Sequence, residues 1–568
     1  MTRLLLVIGL IALATTTSAQ PPGSIKKKAP GGGAATRRAV DGMPITGLSP
    51  AKIVPNLCLY SYPVSSSSAD CRALCDQALG CFYSYVWMEA ARSFETALLR
   101  DPECAYAWLG LSRSLEKWGK GANPPNATPF AGAIGSVFLA KLPDSVSKSP
   151  VELALDKAQQ FMPKANPREQ LLIRSKLEEK GLVPNTPAEE RKKKATATLD
   201  ELLTLYEDDE EGWFWRAQIA EGVNGRTPFY KALLKINPYH PGASHELVHF
   251  YETIKRPALG WPYAEMYMKS SPGLPHAFHM QSHLAMRIGK WQSTSDWSSR
   301  ALEMQKAYHK SHDVKPSEDH QFNHHMETLT RGLVHDGRFD EAKRIKLEAL
   351  GHGYNFRPEW IRMALSQKDW DEANKIIEPL RKTDKTNAAY FGALLALEKG
   401  DTSRAGAEID TLRQQQQSRK TDKTLELKLW EVLGRHLCQT GHGEAGLKLL
   451  KRVIEKTKDD YKHHAWGNGA LYMETWGLAA LEAGSPAEAA EAFQEALAHD
   501  SGSVRGALGM WAISDHLGKT DQAARYLKVA HRCWARASEK DFDRLKDDIA
   551  EKATKRTPPS ATTAAEGQ

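Results

Sequence analysis

Apolar residues recur along this chain with a helical period, not a strand period. In MEAARSFETALLRDP, Ala90, Phe94 and Ala97 fall at i, i+4 and i+7, one face of a helix that Pro102 ends. In AEAAEAFQEALAHD, Ala489, Phe493 and Ala496 keep that spacing, and in DQAARYLKVA so do Ala523, Leu527 and Ala530. Ala489 and Ala523 are 34 residues apart, as are Phe493 and Leu527. Gly477 and Gly484 precede Phe493, the first where two helices approach closely and the second at the turn between them. GRFDEAKRIKLEAL (Gly337, Ala342) and GHGEAGLKLLKRVI (Gly443, Ala445) carry the same turn and second helix. Each such pair cannot bury its apolar stripe alone, so the pairs must stack.

Small residues, Ala, Phe or Tyr, Ala and Pro at fixed offsets within about 34 residues resemble the tetratricopeptide family. The resemblance is strong over 71–115, 235–350 and 466–536 and weaker over 356–460. It implies an all-α, right-handed superhelical solenoid of helix-turn-helix repeats, roughly nine to eleven pairs long, whose first helices line a concave groove. Residues 116–200 depart from the period: a loop (GKGANPPNATPFAGAIG) precedes helices expected at 149–162, 167–180 and 187–206. The segments SHELVHFYE, LPHAFHMQSHLAMRIGKW and DHQFNHHMETLTRGLVHDGRFDEA also resemble a group of exported bacterial tetratricopeptide proteins with H-M-x-S-H elements. That likeness implies fold and compartment and carries no chemistry.

The two ends differ from the body. Met1-Thr2-Arg3, the apolar run Leu4 to Ala14 and the small residues to Ala19 read as a signal peptide cut after Ala19. The apolar run is about half the length of a membrane span, so the expectation is a periplasmic or secreted chain with no membrane insertion after cleavage. Residues 20–50 are a Pro, Gly, Ala and Lys/Arg linker, and 555–568 a tail of similar composition. Between them lie an N-terminal region at 51–235 that includes the irregular insert at 116–200, a His-rich centre at 236–355 and a C-terminal array at 356–554. A net charge of +7 from 76 basic and 69 acidic residues gives no ground for a nucleic-acid partner. The chain has no phosphate loop, dinucleotide fingerprint or nucleophile elbow. Of the seven cysteines, Cys58, Cys71, Cys75 and Cys81 cluster, which allows a local bridge from Cys58 to Cys71 or Cys75. Cys104, Cys438 and Cys533 read as solitary buried thiols.

Most of the twenty histidines fall between 240 and 352. Pro238 and Pro272 are 34 apart; His245 and His279 each follow their Pro by seven residues, and His249 and His283 by eleven. Two consecutive first helices therefore carry an i, i+4 His pair on the same face. By the resemblance, that face lines the groove, which makes His245, His249, Glu252, His276, His279, His283 and Met286 candidate ligand-binding residues. His320, His324, Glu327 and Arg331 continue the stripe on the next helix. The reading that follows is an exported scaffold binding a protein or peptide, with no cofactor. The alternative is a metal-binding protein, with a metal-dependent hydrolase as one form of it, in which zinc or another transition metal is held by His245, His249, His279 and His283 and by His320, His324 or Glu252 as further ligands. His245 to His249 spells H-E-x-x-H, the zinc metalloprotease helix with Glu246 as base, but a peptidase needs a substrate-binding edge strand and the sequence has no clear one.

Overall fold

The computed structural model describes residues 42–119, 149–458 and 470–554. The expected signal peptide at 1–19, most of the expected 20–50 linker, the expected loop within the insert and the expected 555–568 tail lie outside the described residues. Among the described residues every regular element is a helix, and consecutive helices pack as antiparallel neighbours joined by short turns. The chain is an all-α solenoid of helix pairs.

Local chemistry sets the helix ends. Pro stands at the first position of Pro241–Thr253, Pro257–Ser270 and Pro275–Arg287, where its missing N–H is no loss. His240 caps the first of these: its Nδ1 accepts the N–H of Ala243 at 3.1 Å, and burial pushes the ring down to about 3, so it stays the neutral acceptor the cap needs. The turns inside pairs use glycine where the backbone is left-handed, with φ of 72° at Gly337 and 71° at Gly484. The small residues of the repeat are where helices touch. A Cβ at Gly110 would lie 2.3 Å from the Phe94 ring, and one at Gly477 would lie 2.5 Å from Phe493.

The insert holds helices Pro150–Phe161, Pro167–Lys180 and Ala188–Leu205. Two large apolar cores result, one built mostly from residues before 248 and one from residues after 302. A small cluster of Val248, Ala264, Tyr267, Ala277, Met280 and Leu284 lies between them. The His-bearing first helices sit at this junction. Pro241–Thr253 contacts Pro275–Arg287, which contacts His320–His335, which contacts Arg357–Ser366, so the first helices form one continuous inner row.

Both ends of the described chain fold back onto the centre. Helix Ala69–Tyr83 packs on Pro241–Thr253, Tyr267 donates to Ser84 Oγ at 2.6 Å, and Gln321 donates to the Ser84 carbonyl at 3.2 Å. On the other side, the indole of Trp291 donates to buried Asp500 at 3.0 Å and that of Trp534 to the His335 carbonyl at 2.8 Å. The N-terminal helix pair therefore packs over part of the inner face at the histidines, where the Tyr83 carbonyl meets His245.

Candidate metal centre

The geometry sorts the histidines into two triads. His245, His249 and His276 bring one ring nitrogen each within 4.8 Å of one another, and so do His279, His283 and His324. Each triad is built the same way: an i, i+4 pair on one first helix is met by a histidine near the start of the next. The sequence expectation of one site formed by His245, His249, His279 and His283 differs from this. The pairs are not gathered around a shared centre; each is completed by a neighbour, His276 or His324.

Hydrogen bonds fix the tautomers in the first triad. The Nδ1 of His245 lies 2.6 Å from the Tyr83 carbonyl. A carbonyl only accepts, so Nδ1 carries the proton and Nε2 presents its lone pair. The Nδ1 of His249 lies 3.1 Å from Glu252 Oε2, which assigns the same tautomer by the same argument. Such outer-shell acceptors orient metal-ligating imidazoles and raise their basicity. The Nε2 of His245 and that of His276 are 3.1 Å apart, and His249 Nε2 is buried without a protein partner. A tetrahedral ion with Zn–N bonds of about 2.0–2.1 Å holds its ligand nitrogens about 3.3–3.4 Å apart, edge to edge. The observed spacing is close to such an edge.

The second triad repeats the device with less support. His283 Nε2 and His324 Nε2 are 3.2 Å apart. Both ring nitrogens of His279 are buried with no protein hydrogen bond, an arrangement that costs about 1–3 kcal/mol per group when nothing compensates it. His283 Nδ1 lies 3.6 Å from Glu252 Oε1 and His324 Nδ1 lies 4.0 Å from Glu327.

Glu252 stands between the triads. Burial opposes its charge, but the adjacent Arg287 guanidinium, with His249 and His283, holds its carboxyl well below the usual range. Burial first, and then mutual repulsion with neighbouring imidazoles, pushes His245, His276 and His279 well below the ordinary imidazole range. Burial also pushes His283 down to about 4, against the pull of Glu252. At neutral pH these rings are uncharged, the state a metal requires. One member of each triad reaches solvent, the side chain of His249 being 35 % exposed and that of His324 39 %, which leaves an entry path.

The other expected residues divide. Met286 is buried. Arg331 is held by Glu327 at 2.8 Å and Glu359 at 2.7 Å and so braces the helix behind the second triad. His320 opens helix His320–His335. Glu246 accepts from the Tyr85 hydroxyl at 2.9 Å and from Gln218 at 3.3 Å. Both donors bond to Oε1, and among the described residues no strand exists to hold a peptide substrate.

Two residues at the site were not legible as site residues. His325 donates from Nδ1 to Gln305 Oε1 at 2.7 Å and places its ring 4.0 Å from that of His279; one position from His324, it points off the stripe. Tyr85 stacks on His249 with the ring planes 5° apart and lies 4.4 Å from the His245 ring. It takes a left-handed φ of 58°, rare for a residue with a Cβ, and it comes from a turn far away in sequence.

Residues 87–120 match the family model described as "Tetratricopeptide repeat". A search of curated proteins finds no match to the chain. Among solved structures, the APC/C hetero-tetramer Cut9-Hcn1 is similar at 13% identity and TM-score 0.26, over 85% of this chain and 76% of that one. Naa15/Naa10 bound to HypK-THB is similar at 12% identity and TM-score 0.24, over 86% and 81%. The family match covers one repeat, and with the 34-residue spacing and the stacked helix pairs it describes a solenoid of tetratricopeptide-like repeats.

Proposed function

We propose that this repeat protein binds two transition-metal ions, one in each histidine triad. Three imidazoles per site suit zinc or divalent copper, and a three-ligand set leaves a further position for water or a bound molecule. The observation that carries the reading is the pair of short Nε2 to Nε2 contacts, 3.1 Å between His245 and His276 and 3.2 Å between His283 and His324. Two imidazoles facing nitrogen to nitrogen can share at most one proton; a single ion uses both lone pairs. Glu252 would orient a ligand of each triad, through His249 and His283, and so couple the two sites.

Cobalt(II) is the test probe, because its visible bands report coordination by nitrogen. Wild-type protein made without a His tag should take up two equivalents with tetrahedral-type bands. His249→Ala and His324→Ala alter partly exposed residues, and each should lose one equivalent while keeping the other. Unchanged bands and stoichiometry in both variants would sink the reading.

A second reading rests on the C-terminal array. The tetratricopeptide fold is that of a protein-interaction scaffold. Its inner row from Arg357–Ser366 through Leu471–Glu482 encloses a cavity of about 1020 Å³ lined by Ile361, Arg362, Tyr390, Arg435 and Tyr472. The lining mixes these aromatic and cationic side chains with the carboxylates of Glu398, Glu431 and Glu474, which suits an extended partner segment with apolar residues and charges of both signs. Loss of partner capture on Tyr390→Ala, with metal content unchanged, would separate this role from the first.

A further inference from the structure

A second set of metal-ligating atoms lies outside the histidine triads. Cys71 and Cys75 stand one turn apart on helix Ala69–Tyr83, and Cys104 is the capping residue that starts Ala105–Lys117. Their sulfurs lie within 4.8 Å of one another, and all three residues are buried. Cys104 is thus not the solitary thiol its sequence position implies. The bridge from Cys58 that the spacing allows is also absent: all seven cysteines are free, and Cys58 Sγ faces Ser271 Oγ at 3.5 Å.

Two independent features favour a charged, ion-binding form of this cluster. The first is the convergence of helix starts. Cys71 lies in the first turn of its helix, where its N–H donates to the Ser68 cap at 3.2 Å, and Cys104 caps the other helix. The partial positive charge of a helix start favours thiolate over thiol at Cys71, whereas hydrogen bonds within the cluster and burial push Cys75 and Cys104 up, so those two give up their protons only to a bound ion. The second is the donor set. Among the described residues the cluster contains three sulfurs and no imidazole or carboxylate. Thiolate-only sets select soft ions. Structural zinc takes four ligands, whereas three thiolates satisfy a trigonal monovalent ion.

We infer that Cys71, Cys75 and Cys104 form a trigonal thiolate site for monovalent copper, distinct from the histidine triads. On binding, each thiol releases its proton to solvent and its sulfur donates a lone pair to the ion; no electron is transferred and no sulfur–sulfur bond forms. The helix starts offset part of the negative charge that remains.

The probe is Cu(I) itself, supplied as its acetonitrile complex to full-length, reduced, metal-free protein. The His249→Ala/His324→Ala background weakens the triads, and the sulfur or nitrogen identity of the copper neighbours separates the cysteine site from any copper held by the remaining imidazoles. One equivalent should bind with an ultraviolet sulfur-to-copper charge-transfer band, and copper K-edge fine structure should show three sulfur neighbours. Cys104→Ser, with its helical circular dichroism retained, should lose the band. A nitrogen-only copper shell, or equal binding in Cys71→Ser and Cys104→Ser, would overturn the assignment. So would a disulfide within the triad in protein analysed as isolated. The absorption measurement on unaltered cysteines decides the matter even if a serine variant does not fold.

Discussion

His276 and His245 face each other across two neighbouring first helices with their Nε2 atoms 3.1 Å apart. Without an ion, one proton shared between the two nitrogens satisfies the pair as a hydrogen bond; an ion would take both lone pairs. The contact recurs at 3.2 Å between His283 and His324, one repeat further along. A recurring, buried, nitrogen-to-nitrogen approach is what a row of ion sites requires.

Glu252 should matter to both sites at once. It accepts from His249, lies beside His283 and pairs with Arg287. Glu252→Gln should weaken metal binding at both triads by about 10–100-fold, the usual effect of an outer-shell partner. Glu327→Gln, 4.0 Å from His324, should weaken only the second. Competition titration with a chromophoric chelator reads both constants. Equal, single-site effects of the two variants would show that Glu252 does not link the triads.

The helix pairs depend on glycine where an aromatic ring presses on the partner backbone. Gly477→Ala places a methyl 2.5 Å from the Phe493 ring, an overlap that should destabilise the array by about 1–3 kcal/mol. Exposed Gly518, with nothing within 4 Å but a φ of 67°, should lose stability on substitution through backbone strain alone. Thermal melts of Gly477→Ala and of the double variant Gly477→Ala/Phe493→Leu separate the causes: the smaller side chain should restore part of the loss only if the ring is what the methyl strikes.

The closure of the C-terminal array on the centre should depend on pH through Asp500. Burial, with Glu474 nearby, pushes its carboxyl up to about 7; in the unfolded chain it titrates near 3.9 (approximately). Between these values the folded protein holds a proton that the unfolded chain has lost. Stability from this group is therefore complete below about pH 4, falls as pH rises and is gone above about pH 7. Asp500→Asn keeps an acceptor for the Trp291 indole and removes the charge. Its melting temperature should exceed that of wild type by a few degrees at mildly alkaline pH, the gap narrowing steadily toward acid. Parallel curves would mean that Asp500 is not the group responsible.

The all-α solenoid was legible because its signal is local: Ala90, Phe94 and Ala97 recur as Ala489, Phe493 and Ala496, and the helix period needs no tertiary knowledge. The His pairs were legible for the same reason, since an i, i+4 spacing puts both rings on one face wherever the helix packs. What the spacing could not carry was the grouping. Whether His249 meets His283 or His276 depends on how far one first helix slides along the next, which packing decides. Tyr85 and the Tyr83 carbonyl reach the site from an N-terminal pair that folds back across the row, a contact over some 160 residues with no periodic trace. Cys104 meets Cys71 and Cys75 between two successive first helices, Ala69–Tyr83 and Ala105–Lys117, a grouping that their packing decides.

Metal content of the unaltered protein tests the central claim most directly. The chain, produced without an affinity tag that binds metal and dialysed against buffer without chelator, would be analysed by plasma mass spectrometry alongside His245→Ala/His279→Ala. Two equivalents of zinc or copper bound by the triads in the first sample, and their loss in a folded double variant, are the expected result. Binding of no stoichiometric transition metal, by the protein as isolated or after incubation with zinc or copper, would contradict it.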